Sequence, residues 1–527
     1  MRYTVEEALN LWKEAKEIRQ PWESVWQECY DYGLPGKRGF TQTTTDTQAF
    51  DRLFDTTAVD ALSEFVTTLQ FGLTAPMAKS IELVPDVELE EGARYQVQLE
   101  LDKLRDMVLQ ALDDANADVA DPETFADCGC VGGGFQLLPE REGQWPPFEV
   151  MNVSATEVWL LPGPFGQPMG HARCNKAMYR DLVIEYPDAN WGPIRQGQSA
   201  EALEKLELTV IEMCYRDFSD SRTMTCHYCL FVEKGPTELL KHTFVGEGSN
   251  PWVMARWTGA SKDYYGRPPM LTALPLAKTL NLANEMVLEN AEFAMTGMWQ
   301  YEGGDTINAN QIQLIPGTII PKVPGTAGLE PLRTDHMRFD VSQMVGGAHA
   351  QQIRAAFFNM DLGPMDKTPM SAEEARIRKG KALQRMGASY LRLKREFVEM
   401  RARRVIYLLV KNKFFQLPQL PHDMIRVRVI SPLQRQVSME EVERVSGYIG
   451  AVAGLYGPKM ALVLSNPAHV ASQLAKSFQI PAGLVPSPEE VKQAMQQMLG
   501  GVAQQEQQAP GSGQAIVDAA AQFLPKG

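Results

Sequence analysis

SAEEARIRKGKALQRMGASYLRLKREFVEMRARRVIYLLVKNKFF, residues 371–415, runs for 45 residues without a proline. Leu383, Met386, Tyr390, Leu393, Phe397 and Met400 recur at alternating steps of three and four, which keeps them on one stripe of an α-helix. Ser371 is a potential N-cap and Glu374 stands three residues on, the pattern of a capping box. At 1.5 Å per residue, an unbroken helix of this length would be roughly 65 Å long. A rod of that size crosses more than one layer of an assembly. Its charge is one-sided: residues 371–413 carry 13 Lys/Arg against 4 Asp/Glu, whereas the whole chain is −14. Either the basic rod meets phosphate, or it is a face that pairs with acidic partners.

The chain has 527 residues, room for roughly three or four domains at about 150 residues each. Hydrophobic content of 44% and charged content of 22% are ordinary for folded protein. The first twenty residues form an amphipathic pattern rather than a signal peptide, and no apolar run reaches the ~18 residues needed to cross a bilayer. Seven cysteines, an odd and thinly spread set, suit free thiols in a reducing compartment. A pI near 5.2 argues against tight, static DNA binding but not against a surface past which DNA moves.

Outward from the rod, the sequence predicts a helix over 4–31 with Trp12, Trp22 and Trp26, interrupted near Pro21. A second helix is expected over Asp51–Leu73 and a third, acidic one over Glu90–Ala117. Residues 46–127 hold 19 Asp/Glu and 5 Lys/Arg, so much of the negative field lies there. From 128 to 257, alternating runs broken by Gly and Pro (FQLLPE, FEVMNV, EVWLLP, LTVIEMCYR, TCHYCLFVE, NPWVMARW) read as strands of a β-rich unit. A helix is predicted over 270–298, with Ala273, Ala277, Leu280, Val287, Ala291 and Ala294 near one face. A turn-rich insert (299–341) follows, then a helix over 342–361. GPMDKTP (363–369) must be a loop, since two prolines and a glycine cannot continue a helix. Beyond the rod come a strand at 424–430, helices over 438–500 and a Gln/Ala/Gly/Pro-rich tail expected to be flexible.

Several of these stretches, in this order, resemble the portal, or head-to-tail connector, proteins of short-tailed double-stranded DNA phages (podovirus type). They are RQPWESVWQECYDYGLP, DRLFDTTAVDALSEFVTTLQFGLTAP, GRPPMLTALPLAKTLNLANEMVLENAE, the long helix itself and SPLQRQVSMEEVERV, and the resemblance covers most of the chain, from about Arg19 to Gln493. Two places depart from the family's pattern. TAPMAKSIEL lacks an aromatic often seen after that proline, and Ser465-Asn466-Pro467 has Asn where Asp is common, which loosens the register of the last part.

The resemblance implies an α+β, predominantly helical portal fold that assembles as a ring, usually of twelve copies, around a DNA channel. It divides the chain into a wing (1–265, β-rich over 128–257), a stem helix (266–298), a clip (299–341), a second stem helix (342–361) and a tunnel loop (362–370). The long wing helix with its strand (371–431), a crown (432–500) and a flexible tail (501–527) complete the division. Implied channel residues are Met365, Asp366, Lys367 and Thr368, with Arg376, Arg378 and Lys379 as further basic groups near DNA. Implied docking residues on the clip are Glu302, Asp305, Asn308, Asn310 and Gln311. Implied partners are further copies of the chain, double-stranded DNA, the terminase packaging motor, the major capsid and scaffolding proteins, and tail adaptor or tail tube proteins. Internal core or ejection proteins complete the set, with no membrane. The implied location is the portal vertex of the virion, after host cytoplasm during assembly.

Translocation needs a wall that guides the duplex without holding it, because each Lys or Arg on a phosphate adds affinity through counterion release. A mostly acidic lumen with few basic contacts satisfies that. The basic rod is then expected to face protein, with the acidic helices near 46–127 as partners.

Signatures of chemistry are sparse. Cys226 and Cys229 have CxxC spacing and Cys128/Cys130 could complete a zinc site, but buried structural thiols are the better account. Gly129 to Gly134 lacks the Lys-Ser/Thr of a phosphate loop, so a turn leading into a strand explains it. No HExxH or GxSxG occurs. The tryptophans are expected as core or subunit-interface anchors rather than a base-stacking platform. No catalytic residue, cofactor or metal is expected; ATP hydrolysis would belong to a separate motor subunit. Alternatives are another ring or adaptor of the head–tail junction, or a nucleic-acid-processing enzyme.

Overall fold

The computed structural model describes residues 4–37, 39–40, 49–75, 80–85, 91–196, 198–218, 224–233, 237–259, 263–296, 299–300, 330–331, 339–359, 385–416, 425–429, 432–456 and 470. Its class is α+β. Helix α1 (Val5–Gly33) is opened by a Thr4–Glu7 capping box and runs through Pro21 without a break. The expected interruption is absent because the two halves are held separately. Trp12 packs in a core with Leu161, Ile211 and Phe231, whereas Trp26, Cys29 and Tyr30 belong to the main core. The one backbone hydrogen bond that proline removes is small against that anchoring.

Helix α2 (Thr57–Leu73) starts six residues later than predicted, after a short 3₁₀ turn at Ala49–Arg52. The stretch between is pinned in a non-helical path, since the Phe54 and Asp55 amides donate to Asn281 Oδ1 at 2.7 and 3.2 Å. Strand β1 (Ile81–Pro85) and helix α3 (Glu91–Asp114) follow. Helix α4 (Ala117–Val131) was not anticipated. Its residues are buried on nearly every side, including Asp121, Thr124, Phe125, Asp127 and Cys128, so it carries no amphipathic signal. The β-rich unit therefore begins after Cys128, which sits near the last turn of α4. Gly132 closes that helix in the left-handed region (φ 83°), as the turn reading of the glycine run expected.

Strand β2 (Gly133–Leu137) is the middle of a three-stranded sheet with β3 (Met151–Val153) and β9 (Trp252–Arg256). Strands β4 (Val158–Pro162), β5 (Pro168–Met178), β6 (Glu207–Asp217), β7 (Thr225–Val232) and β8 (Thr237–Val245) form a five-stranded antiparallel meander. Short helices α5 (Tyr179–Glu185), α6 (Gly192–Arg195) and α7 (Ala200–Glu204) lie between β5 and β6. The sequence reading missed β5, whose Gly, Asn and Lys obscure the alternation, and β8, an edge strand that is mostly exposed.

Helix α8 (Pro269–Thr296) and helix α9 (Phe339–Ala356) pack together. Between them β10 (Trp299–Gln300) pairs with β11 (Glu330–Pro331), which brings the two ends of the insert side by side. Helix α9 begins and ends earlier than predicted; Phe358, at φ 61°, turns the chain out of the helix.

The long helix is described over residues 385–411 and is not a uniform rod. Gly387 takes a positive φ of 47°, and Lys394–Glu399 form a π-turn. The wider turn moves the buried stripe on by one residue. Met386, Tyr390, Leu393 and Phe397 are buried as predicted, but Met400 is 36% exposed, and the stripe continues through Arg401, Val405 and Leu408. Strand β12 (Ile425–Val429) then pairs antiparallel with β1, and a C-terminal helix spans Pro432–Tyr456.

Two left-handed glycines separate backbone conformation from packing. A Cβ at Gly132 would lie 2.2 Å from Gly266 O, whereas one at Gly143 (φ 69°) meets nothing within 4 Å. Gly132→Ala should therefore cost on the order of 3 kcal/mol and Gly143→Ala about 1. Apparent urea midpoints would show the difference, and equal shifts would refute the packing argument.

Candidate functional site

The segments that the sequence reading assigned to channel and docking attach to two places in the described fold. One is the root of the α8–α9 pair, which carries the 299–341 insert. The other is the dock of the long helix, described from residue 385 on, which residues 363–369 precede in the chain. Met365, Asp366, Lys367, Thr368, Arg376, Arg378 and Lys379 lie outside the described residues, as do Glu302, Asp305, Asn308, Asn310 and Gln311.

At the root, Ala273, Ala277 and Leu280 of α8 and Ile353 and Phe357 beyond them are buried in the main core. Phe357 meets Phe65 of α2 edge-on at 5.9 Å, and Asn359 Nδ2 donates to Ala61 O at 2.8 Å. Asn281, on the buried phase of α8, receives the Phe54 and Asp55 amides, and Asn284 Nδ2 donates to Asp55 Oδ2 at 3.2 Å. These side-chain-to-backbone bonds fix where the pair leaves the body. Past Asn281, α8 turns outward: Leu282 is 50% and Met286 51% exposed.

At the dock, the long helix spends its basic residues on protein. The Arg401 guanidinium pairs with Asp121 of α4, the two being 4% and 1% exposed. Gln136 Nε2 donates to the same Asp121 oxygen at 2.9 Å and to Thr124 Oγ1 at 3.0 Å, so one carboxylate ties together the long helix, α4 and β2. Arg404 donates to three carbonyls, Ser249 O at 2.7 Å, Leu138 O at 3.2 Å and Gly248 O at 3.3 Å. Burial pushes its pKa down to about 10, which leaves it charged at neutral pH.

Arg403 pairs with Glu247, and Lys411 with Glu140 at 2.6 Å. Towards the N-terminal end, Glu396 takes a two-pronged contact from Arg256 at 2.6 and 3.0 Å, and Tyr390 OH donates to Gly72 O at 2.8 Å. The acidic partners are only partly those expected. Asp121 is in the 46–127 region, but Glu140 and Glu247 belong to the β-rich part.

Sequence reasoning missed Arg19, Asp121, Gln136, Asn281 and Asn359. Arg19 donates to Val158 O at 2.7 Å and Thr156 O at 2.8 Å, and lies 4.0 Å over Trp159. The available signal was a polar residue on an apolar phase: Arg19 stands seven after Trp12, and Asn281 four after Ala277.

The tryptophans are anchors: Trp12 and Trp26 are buried and Trp22 stacks on Trp26 at 5.9 Å. Cys226 belongs to the main core and Cys229 to the second one, on the other face of β7. Burial raises their pKa values to about 11 and about 12, the reverse of what thiolate metal ligands need. Among the described residues, no group of three or more His, Cys, Asp or Glu could hold a metal ion. A cleft of about 520 Å³ between the end of α1, α4 and β3 is lined by Lys37, Glu123, Asn152, Glu157 and Arg173, among others. Its cations are committed, Lys37 to Asp127 at 2.5 Å and Arg173 to Glu157 at 3.1 Å. No described helix is long and apolar enough to cross a membrane.

The buried pair at the dock sets a stability test. Asp121→Ala strands Arg401 and should cost about 3–5 kcal/mol, whereas Asp121→Leu combined with Arg401→Met should recover most of it. A double-mutant cycle by chemical denaturation checks this; strictly additive losses would mean that the pair is not a unit.

The described geometry is a scaffold of committed charges that seats the long helix on α4 and β2. The family model described as "Bacteriophage head to tail connecting protein" matches residues 5–485. The probable portal protein of Bordetella phage BPP-1 is 22% identical over 473 residues, which cover 85% of this chain and 83% of that protein. Among solved structures, a chain from the virion of a native gene transfer agent particle is 14% identical, with a TM-score of 0.37, over 78% of this chain and 89% of its own. A chain from the neck of the native particle is also 14% identical, with a TM-score of 0.38, over 80% and 92%. With a match over nearly its whole length, the chain belongs to the bacteriophage head to tail connecting protein family.

Proposed function

We propose that this protein works as a portal: many copies close into a ring, with twelve as the expected number, and double-stranded DNA is packaged and later ejected through the hole. The observation that carries the reading is the family match over residues 5–485. Membership alone makes the chain a portal protein at the head–tail junction of a virion. The ring, the DNA and the further partners are our extension. The work is mechanical, and nucleotide hydrolysis falls to a separate packaging motor.

The charges at the dock support a guiding rather than a gripping wall. Arg401, Arg403, Arg404 and Lys411 of the long helix are engaged by the protein's own acids and carbonyls. They are thus withdrawn from phosphate, and each one withdrawn lowers the affinity that would stall a moving duplex. On this reading the contacts with DNA come from the 362–370 loop, with Met365, Asp366, Lys367 and Thr368 at the channel and Arg376, Arg378 and Lys379 behind it. The 299–341 insert, with Glu302, Asp305, Asn308, Asn310 and Gln311, docks the terminase motor first and a tail adaptor later. Capsid, scaffolding and internal core proteins contact the remaining faces.

Negative-stain micrographs of the purified chain should show rings of one symmetry; a compact monomer at assembly concentration with scaffold present would sink the proposal. Within the ring, Asp366→Ala and Lys367→Ala should alter the packaging rate or the retention of packaged DNA, and unchanged values for both would remove the guiding role. Deleting residues 302–318 should abolish motor binding in a pull-down while leaving the thermal midpoint of the body in place.

A further inference from the structure

The long helix does not commit all of its cations. Arg392, Arg401, Arg403, Arg404 and Lys411 are each engaged by a carbonyl or a carboxylate. Among the described residues, the side chains of Lys394, Arg395 and Arg428 are in no hydrogen bond or ion pair. These three share one seam, because β12 packs on the π-turn at Lys394–Glu399. Val427 is buried, so the alternation of the strand turns its neighbours Arg426 and Arg428 outward; both are exposed, as is Arg395. Burial lowers the Lys394 pKa; Glu399 offsets part of that, and Arg428 lowers it further, so these two cations lie close enough to repel each other. Glu399 and Glu82, which stands across from Arg428 in the β1–β12 ladder, are carboxylates at the same seam. Four cations thus gather against these two carboxylates, on a chain of net charge −14.

We propose that Lys394, Arg395, Arg426 and Arg428 form a contact for the phosphate backbone of a DNA duplex, on the body of the protein and separate from the 362–370 loop. This rests on the reading of the chain as a portal and adds to it a second place where the duplex touches. Arg426 and Arg428 stand about 6.8 Å apart in a row along their strand. A row of cations on an open face suits an extended polyanion rather than one small anion held in a pocket. Cations on phosphate bind through counterion release and carry no sequence information, and a duplex passing a fixed surface requires that indifference. Glu82 and Glu399 offset half of the positive charge, which keeps the hold weak enough for movement.

Fluorescence anisotropy of a short labelled duplex with the full chain, titrated at several salt concentrations, tests this, with negative-stain micrographs of the same preparations. Arg395→Gln combined with Arg428→Gln removes two exposed cations, so circular dichroism and the thermal midpoint should stay as in the wild type. Losing two phosphate contacts should make the plot of log affinity against log salt shallower by roughly 2, and should weaken binding about tenfold or more at low salt. Arg395→Lys combined with Arg428→Lys keeps the charge and should keep the wild-type slope. Unchanged affinity and slope in the glutamine variant, or a wild type without measurable duplex affinity, would overturn the contact and leave the portal reading standing. So would a glutamine variant that loses binding to labelled poly-glutamate but not to the duplex, since the seam would then take an acidic protein segment. A wild-type chain that forms no rings would overturn the portal reading and this contact with it.

Discussion

A guanidinium cannot be left alone in a protein interior, and two of them, Arg401 and Arg404, are buried on the long helix. Each must be answered by fixed acceptors, and the answers come from distant parts of the chain: Asp121 in α4 for one, and the carbonyls of Leu138, Gly248 and Ser249 for the other. An unanswered buried charge is costly, so these contacts allow few alternative seatings of the helix. The aromatic contact between Phe125 and Phe397 at 5.4 Å lies on the same interface between α4 and the long helix. Apolar packing there supplies most of the attraction, whereas the charge pairs set the register.

The π-turn at Lys394–Glu399 belongs to the same constraint. Without the extra residue, the regular spacing would bring Met400 inward and Arg401 out of line with Asp121. With it, the N-terminal part of the helix presents Tyr390 to Gly72 O and Glu396 to Arg256, while the C-terminal part presents its arginines to α4 and β2. One helix thereby satisfies two surfaces that a single straight stripe could not reach. The root of the α8–α9 pair is built on the same logic, with Asn281 and Asn359 holding backbone groups of the first helices.

Much of the outline was legible in the order of residues alone. The three-and-four spacing revealed most of the long helix, and the alternation revealed six of the strands in the β-rich part. The misses share a physical cause. Helix α4 is buried on nearly every side and leaves an apolar Val119 exposed, so it shows no stripe, and β8 is an edge strand with little to bury. The start of α2 is decided by Asn281, more than two hundred residues away, and Pro21 was overruled by separate anchors on either side of it.

By itself the sequence determined the local periods, the places where the chain must turn, the uneven distribution of charge and, through five ordered motifs, the family. Those properties reside in residues near one another along the chain. Only the tertiary structure decided what each charge is for, because a guanidinium bound for solvent, phosphate or a buried carboxylate looks the same in a string of letters. Its partner is chosen by distance and burial, and both exist only once α4, β2 and the long helix have come together.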